Sequence, residues 1–238
     1  MEAGQGKRMK NPDKAKVMHT LSGLPLVEHV YRLARDMGAM RIIVVVGHQR
    51  QSIIDYLGRI DPKVQYAIQE QQLGTGHAVQ MTEEHLADFE GDVIILSGDA
   101  PLTRRETMEE ALNKHREANA TVTVLTALLP DPTGYGRVIR DEDGIIVKIV
   151  EHKDANDTER EVREINSGIY VFRSKELFEA LQRIDNNNAQ GEYYHPDVFE
   201  IFQRENRTMI PHVVSNFDEI RGVNTIDQLA ELEAIYNA

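Results

Sequence analysis

Cysteine is absent from this sequence. That removes disulfide frameworks, thiolate metal sites and cysteine nucleophiles together, while leaving the compartment open. Long apolar runs are absent too: the longest, Ile42 to Val46, falls far short of the ~20 residues a membrane helix needs. The opening residues Met1-Glu2-Ala3-Gly4-Gln5-Gly6-Lys7-Arg8 hold no apolar signal core, so a cytoplasmic location is expected and no membrane partner. Positive charge is scarce. Against 39 Asp and Glu stand 27 Lys and Arg, a formal net charge of −12, which works against a nucleic-acid partner because binding a polyphosphate backbone needs a basic face. The nine histidines show no His-Glu-x-x-His or other metal spacing, and no Gly-x-Ser-x-Gly elbow supports serine hydrolysis.

What is present describes a packed globular chain. Its 238 residues are 41% hydrophobic and 28% charged, neither disordered nor membrane-embedded by composition, and long enough to bury roughly 70–75% of the unfolded surface. Short β-branched runs alternate with segments of helical period, the pattern of an α/β fold with crossover helices on both faces of a mainly parallel sheet. Leu26, Val30, Leu33 and Met37 predict a helix behind Pro25, ended by Gly38. Strands are predicted at Arg41 to Gly47 and Val64 to Ile68, with a short helix carrying Ile53, Ile54 and Leu57 between them. Val93 to Leu96 reads as a parallel strand whose carboxyl end presents Asp99, the edge at which open α/β sheets bind ligands. Thr103 and Glu106 form a capping-box pattern before a helix with Met108, Leu112 and His115.

From residue 121 the pattern becomes β-rich. Runs at Thr121 to Ala127, Ile145 to Glu151 and Glu164 to Phe172 are separated by glycine- and proline-containing loops, and Asp141-Glu142-Asp143-Gly144 reads as a hairpin turn. Helices return near Ser174 to Arg183, Pro196 to Arg204 and Thr225 to Tyr236, the last opened by a Thr225-x-x-Gln228 box.

Gly4-Gln5-Gly6-Lys7-Arg8 has glycines that let backbone N–H groups approach an anion and cations that screen it, yet it lacks a P-loop's Gly-Lys-Ser/Thr and the third glycine of a dinucleotide fingerprint. By itself it reads as a flexible terminus. Asp99 is a hard carboxylate suited to Mg²⁺, or an ordinary turn residue. Three polar strings stand out: Gln69 to Ala78, Asp131 to Arg137 and Asn186 to Tyr194. Amides beside glycines suit base edges and sugar hydroxyls, and also suit solvated turns.

In their order along the chain these strings resemble the uridylyltransferase part of the bifunctional N-acetylglucosamine-1-phosphate uridylyltransferase/glucosamine-1-phosphate acetyltransferase family. The resemblance rests on Gly4-x-Gly6-x-Arg8-Met9, Gln72-Leu73-Gly74-Thr75-Gly76-His77-Ala78, Gly98-Asp99, Asp131 to Arg137, Val150-Glu151-His152-Lys153-Asp154-Ala155, Glu164-Ile165-Asn166-Ser167-Gly168-Ile169, Asn187 to Tyr194 and Gly222-Val223-Asn224. It implies transfer of a uridylyl group from UTP to N-acetylglucosamine 1-phosphate with Mg²⁺ as cofactor, giving UDP-N-acetylglucosamine for cell-wall and peptidoglycan synthesis. By the same resemblance Asp99 and Asn224 hold the metal, and Arg8 and Lys16 supply catalytic positive charge. Ala3, Gly4, Gln69, Gly74 and Thr75 bind the nucleotide, and Gly136, Glu151, Asn166 and Asn224 bind the sugar.

The resemblance further implies a Rossmann-like fold in a single nucleotidyltransferase domain, residues 1–238, with a nucleotide-binding part (1–120), a β-rich sugar-binding part (121–224) and a C-terminal helix (225–238). Family members place an apolar strand before the glycine loop. Here Met1-Glu2-Ala3-Gly4 stands in place of the family's Leu-Ala-Ala-Gly loop string with no strand before it, so the chain is expected to lack the first strand, to lack the acetyltransferase domain and to be a monomer. One residue is inserted ahead of Lys16 relative to the family string, which makes Lys14 a rival for its role. Two other functions compete: a nucleotidyltransferase of the same fold for another sugar, such as glucose 1-phosphate with UTP or dTTP, and a non-catalytic sugar-nucleotide binder.

Overall fold

A computed structural model describes residues 14–237. Its elements, in chain order, are β1 (Thr20–Leu21), β2 (Leu24–Pro25), α1 (Leu26–Asp36), β3 (Ile43–Val46), α2 (Arg50–Ile60), β4 (Gln65–Ile68), α3 (Thr75–Gln80), α4 (Glu83–Leu86), β5 (Asp92–Ile95) and α5 (Arg105–Glu117). They continue as β6 (Val122–Leu128), β7 (Arg137–Arg140), β8 (Ile146–Val150), α6 (Asp157–Arg160), β9 (Glu164–Arg173), α7 (Ser174–Leu181), α8 (Val198–Arg204), β10 (Met209–Val213) and α9 (Ile226–Tyr236). The chain divides into two compact units. The first takes the described residues up to Gln72, Leu96–Arg105 and the stretch from Asp218 onward; the second takes Leu73–Ile95 and Glu106–Phe217.

In the first unit β3 and β4 pair in parallel, Val44 opposite Tyr66 and Val46 opposite Ile68, with α2 as the crossover that parallel pairing requires. α1 buries Leu26, Val27, Tyr31 and Leu33 and ends where expected, Gly38 taking the left-handed conformation at φ +72°. Val27 and Tyr31 join Val46, Ile53, Leu57 and Val64 in one core cluster. A second cluster sets Leu21 and Leu26 with Val223 and Leu232 of the C-terminal segment. The Thr225 capping box is present, with Thr225 accepting from the Gln228 N–H and the Gln228 side chain accepting from the Thr225 N–H. Thr103 donates its hydroxyl to the carbonyl oxygens of Ala100 and Glu219.

The second unit is built on a six-stranded mixed sheet in the order β10-β6-β9-β7-β8, with β5 on β9. The α/β expectation holds, and one detail is corrected. β5 pairs antiparallel with β9, Asp92 opposite Arg173 and Ile95 opposite Tyr170, rather than standing as a parallel strand. The reason lies in β9, ten residues long, whose Tyr170–Arg173 end is lined on one edge by β6 and offers its other edge to β5. Two strands escape the alternation reading. β7 has only four residues, two of them arginine, and β10 contains Pro211, tolerated because among the described residues β10 is the edge of the order and pairs only with β6. The predicted Asp-Gly turn joins β7 to β8, with Gly144 at φ +79°.

The core of this unit is aromatic: Tyr170, Phe172, Phe199 and Phe202 are each no more than 1% exposed. His195 is inserted among them, 4.6 Å from the Tyr170 ring and 5.0 Å from that of Phe172 between centroids. Neither of its ring nitrogens has a hydrogen-bond partner among the described residues. Burial pushes its pKa from the ordinary 6.5 down to about 3, so the ring is folded neutral while the unfolded chain protonates it below pH 6.5. The unfolded state therefore takes up more protons through that window, and stability falls as pH drops from 6.5 toward 3. His195→Leu is expected to raise the urea midpoint at pH 7 and to remove about 3–5 kcal/mol of the stability loss between pH 7 and pH 3. Equal losses in both proteins, measured by urea denaturation across that range, would remove His195 as the cause.

Candidate active site

Three separate chain segments meet in the first unit around one ammonium group. Lys16 lies in a 3₁₀ turn, Lys16–Met18, and is 9% exposed. Its Nζ donates to Asp99 Oδ2 at 2.7 Å and to Asn224 Oδ1 at 3.1 Å. Asp99 also accepts, through its backbone carbonyl, the Val223 N–H at 2.9 Å, which draws the Gly222-Val223-Asn224 string alongside. Gly222 has a packing reason to be glycine: a Cβ there would stand 3.0 Å from Asp99 Oδ2. Asn224 is tied to the start of α9 by its N–H, which donates to Gln228 Oε1 at 2.8 Å.

The donor set fits a hard divalent cation. The Lys16 ammonium is a stand-in cation on the two oxygens, one carboxylate and one amide, that the sequence resemblance assigns to the metal. Among the described residues no group of three or more His, Cys, Asp or Glu is placed to hold a metal ion. Mg²⁺ needs no such cage, since it is held by one or two carboxylates with phosphate oxygens and water completing its shell.

The sugar residues gather in the second unit. Asn166 donates its N–H to the Gly136 carbonyl at 2.9 Å. A Cβ on Gly136 would lie 3.4 Å from Glu151 Oε1 and 3.5 Å from Asn166 Cβ. Burial, and then the charges of Asp154 and Glu192, push the Glu151 carboxyl above the usual carboxylate range. Asp197 is raised as well, to about 7, by burial first and then by Glu200, Asp185, Glu151 and Asp154. The Asn186 to Tyr194 string packs on this loop: the Ala189 N–H donates to Asp154 Oδ1 at 2.7 Å and Lys153 Nζ to Gln190 Oε1 at 2.6 Å. Its far end meets the nucleotide string. The Tyr193 N–H donates to Leu73 O and the Gly76 N–H to Tyr193 O, each at 2.7 Å, while Thr75 Oγ1 accepts the His195 N–H at 3.0 Å. Gly74 is fixed by this ladder, because its φ is +111° and a Cβ would fall 2.5 Å from Tyr193 O.

Of the residues expected at the site, Lys16, Asp99 and Asn224 are brought together in the first unit, and Gly136, Glu151 and Asn166 in the second. Gln69 is fully buried in the first unit, its N–H donated to Val46 O at 2.8 Å; Gly74 and Thr75 belong to the second. Ala3, Gly4 and Arg8 lie outside the described residues. Sequence reasoning missed Tyr170, whose hydroxyl donates to Asn166 Oδ1 at 2.8 Å, together with Asp154 and Asp197. A tyrosine in an apolar strand looks like core, and only its four-residue spacing from Asn166 hinted at more.

The fold is that of sugar nucleotidyltransferases. The structure of UDP-glucose pyrophosphorylase complexed with UDP-glucose matches with a TM-score of 0.77 at 18% identity, covering 99% of this chain and 96% of that one. The apo form of UDP-glucose pyrophosphorylase matches at 0.75 and 18%, covering 99% and 95%. Likeness at such identity speaks for the fold alone. The family profile described as nucleotidyl transferase matches residues 1–216, and the chain belongs to that family, whose members generally depend on a divalent metal.

Relatives much nearer in sequence carry the name "Bifunctional protein GlmU". The one from Exiguobacterium sp. (strain ATCC BAA-1283 / AT1b) is 48% identical over 235 residues, 99% of this chain and 51% of that protein. That from Acetivibrio thermocellus is 47% identical over 97% of this chain and 49% of its own length. That from Bacillus subtilis is 46% identical over 98% and 50%. The chain thus spans about half the length of these relatives. No described helix is long and apolar enough to cross a membrane.

With Lys16 seated on Asp99 and Asn224, a divalent cation must displace the ammonium to reach both oxygens. Lys16→Met is therefore expected to tighten Mn²⁺ binding in the absence of nucleotide by about tenfold or more, the equivalent of one charge-assisted hydrogen bond. Free Mn²⁺ counted by electron paramagnetic resonance measures this directly; unchanged or weaker binding would mean that the ammonium does not compete.

Proposed function

We propose that this chain transfers a uridylyl group from UTP to N-acetylglucosamine 1-phosphate, giving UDP-N-acetylglucosamine and pyrophosphate. The observation that carries the reading is the 46–48% identity, over 97–99% of the chain, to proteins named GlmU. The ordered motifs and the two side-chain clusters support it.

In this reading a phosphate oxygen of the sugar 1-phosphate attacks the α-phosphorus of UTP in line. The bond from that phosphorus to the β-phosphate bridging oxygen breaks, and pyrophosphate leaves. Such a transfer is catalysed by positioning and charge stabilisation, so no side chain need remove a proton. Lys16 and Arg8 supply positive charge to the phosphates. Asp99 and Asn224 would hold Mg²⁺, which when bound neutralises charge on the reacting phosphates. Ala3, Gly4, Gln69, Gly74 and Thr75 take the uridine, with backbone and amide groups suited to uracil. Gly136, Glu151, Asn166 and Asn224 take the N-acetylglucosamine. The chain acts as a monomer in the cytoplasm, one nucleotidyltransferase domain in UDP-N-acetylglucosamine supply for the cell wall.

Transfer to glucose 1-phosphate from UTP or dTTP on the same fold is the competing chemistry, and sugar-nucleotide binding without turnover is the competing class. Pyrophosphate release over a matrix of UTP and dTTP against N-acetylglucosamine 1-phosphate and glucose 1-phosphate separates all three. The highest kcat/KM is expected for UTP with N-acetylglucosamine 1-phosphate. A preference for glucose 1-phosphate overturns the proposal, as does stabilisation by UDP-N-acetylglucosamine with no turnover. Asp99→Asn is expected to lower kcat by roughly 10²-fold or more with the circular dichroism melt preserved.

A further inference from the structure

Strand β9 is interrupted where it carries Asn166. Along its pairing with β6, the two-residue step from Val124 to Thr126 faces a four-residue step from Tyr170 back to Asn166. The surplus is absorbed at Ser167-Gly168, with Gly168 at φ +77°, a bulge that re-aims the neighbouring side chains. The Asn166 side-chain oxygen is consequently saturated from within its own strand: it accepts the Gly168 N–H at 3.2 Å and the Tyr170 hydroxyl at 2.8 Å. An amide oxygen has two acceptor positions, and both are taken. The amide nitrogen, with two donors, has no acceptor among the described residues. The orientation is set by chemistry, because the flipped amide would place NH₂ against the Gly168 N–H, donor against donor.

Tyr170 is built to hold that orientation. It is 1% exposed, its ring packed edge-on to His195 and tilted against Phe172 and Phe199 with centroids 5.5 and 6.0 Å away. Burial raises its pKa, so the hydroxyl stays a donor throughout the accessible pH range. Across Gly136 stands the Glu151 carboxyl, a group of the opposite hydrogen-bonding sense.

We propose that Tyr170 is a positioning residue which, with the Gly168 N–H, locks the Asn166 amide with its NH₂ toward the substrate, so that the cluster selects a 2-acylamino sugar. The Asn166 NH₂ donates to the acyl carbonyl and Glu151 accepts from the acylamino N–H. A free 2-amino group lacks the carbonyl, and a 2-hydroxyl cannot extend to both partners. The inference rests on the function proposed above and deepens it by naming what enforces the sugar choice.

The test begins with the unaltered chain, whose kcat/KM for N-acetylglucosamine 1-phosphate must exceed that for glucose 1-phosphate; if it does not, the functional reading fails and this inference with it. Given that preference, Tyr170→Phe is expected to raise KM for N-acetylglucosamine 1-phosphate roughly fivefold, with kcat and the KM for UTP held within about twofold. The sugar preference then narrows by the same factor. In an Asn166→Ala background the Tyr170 substitution is expected to add nothing further to that KM, since its effect passes through the amide. A preserved sugar preference in Tyr170→Phe, equal increases in both KM values, or an undiminished effect in the Asn166→Ala background overturns the inference and leaves the functional reading standing.

Should Tyr170→Phe melt below the assay temperature, Asn166→Asp serves in its place. The carboxylate keeps the acceptor for Gly168 and Tyr170 but loses the donors, and the same selective rise in KM is expected. Retained selectivity in that variant overturns the proposal.

Discussion

The bulge in β9 is the constraint on which the second unit depends. β9 is the central strand: its carboxyl half is bonded to β5 and β6 on its two edges, and its amino half to β6 and β7. A regular strand there would alternate side chains strictly between the two faces. The surplus at Ser167-Gly168 is two residues, an even number, so Tyr170 and Asn166 stay on one face while the strand is lengthened between the half that packs the aromatic core and the half that carries Glu164 and Asn166. Both halves are then anchored without slack. Glu164, 8% exposed, accepts from Thr126 Oγ1 at 2.7 Å and from Arg140 Nε and NH2 at 2.7 and 2.6 Å, a two-pronged pair that fixes β7 and with it the approach of Gly136. The site's precision therefore comes from a sheet, not from a loop.

In the proposed function the first unit meets a different problem, how an acidic chain would hold polyanionic substrates. A net charge of −12 gives no long-range attraction to phosphate, so the positive charge has to be placed locally. Lys16 is drawn in on its stem and fixed by Asp99 and Asn224, a geometry that keeps an ammonium and a carboxylate together at 9% and 15% side-chain exposure. A pair this buried holds each partner in place, because removing either would leave a charge uncompensated. The same contact keeps the oxygens of Asp99 and Asn224 convergent on one ammonium.

Much of this was legible in the sequence. Helix ends were readable at Gly38 and Thr225, where local chemistry decides the outcome, and the hairpin at Asp141 to Gly144 was readable for the same reason. The motif order placed the groups around Gly136 and around Asp99 before any coordinates. What could not be read was non-local. Lys16 contacts Asp99 and Asn224 across separations of 83 and 208 residues, and no periodicity encodes which segment of a chain returns to which. The antiparallel sense of β5 was hidden because an apolar four-residue run carries no direction. His195 gave no sign of its burial, since a lone histidine near a polar string ordinarily faces solvent.

His195 also shows where strain of a chemical kind is tolerated. Two unpartnered ring nitrogens in an aromatic core cost stability that an aliphatic side chain would not, and Asp197, two residues on, is held at a pKa of about 7. His195 closes, and Asp197 follows, the Tyr193 to His195 stretch on which Leu73 to Gly76 is laid by hydrogen bonds. The two groups respond oppositely to pH. His195 favours folding above 6.5 and loses that advantage on acidification, whereas Asp197, raised above its ordinary 3.8, favours folding below 3.8 and loses that contribution as pH rises toward 7. Between those limits neither group is at its best, so the segment that backs the Gly74–Thr75 turn is held chiefly by its backbone ladder and by the glycines that let the ladder close. Substitution at Gly74 or Gly76 would strike that ladder directly, with a Cβ 2.5 Å from Tyr193 O in one case and 3.0 Å from the same oxygen in the other. Its geometry is thus fixed by what those two positions lack.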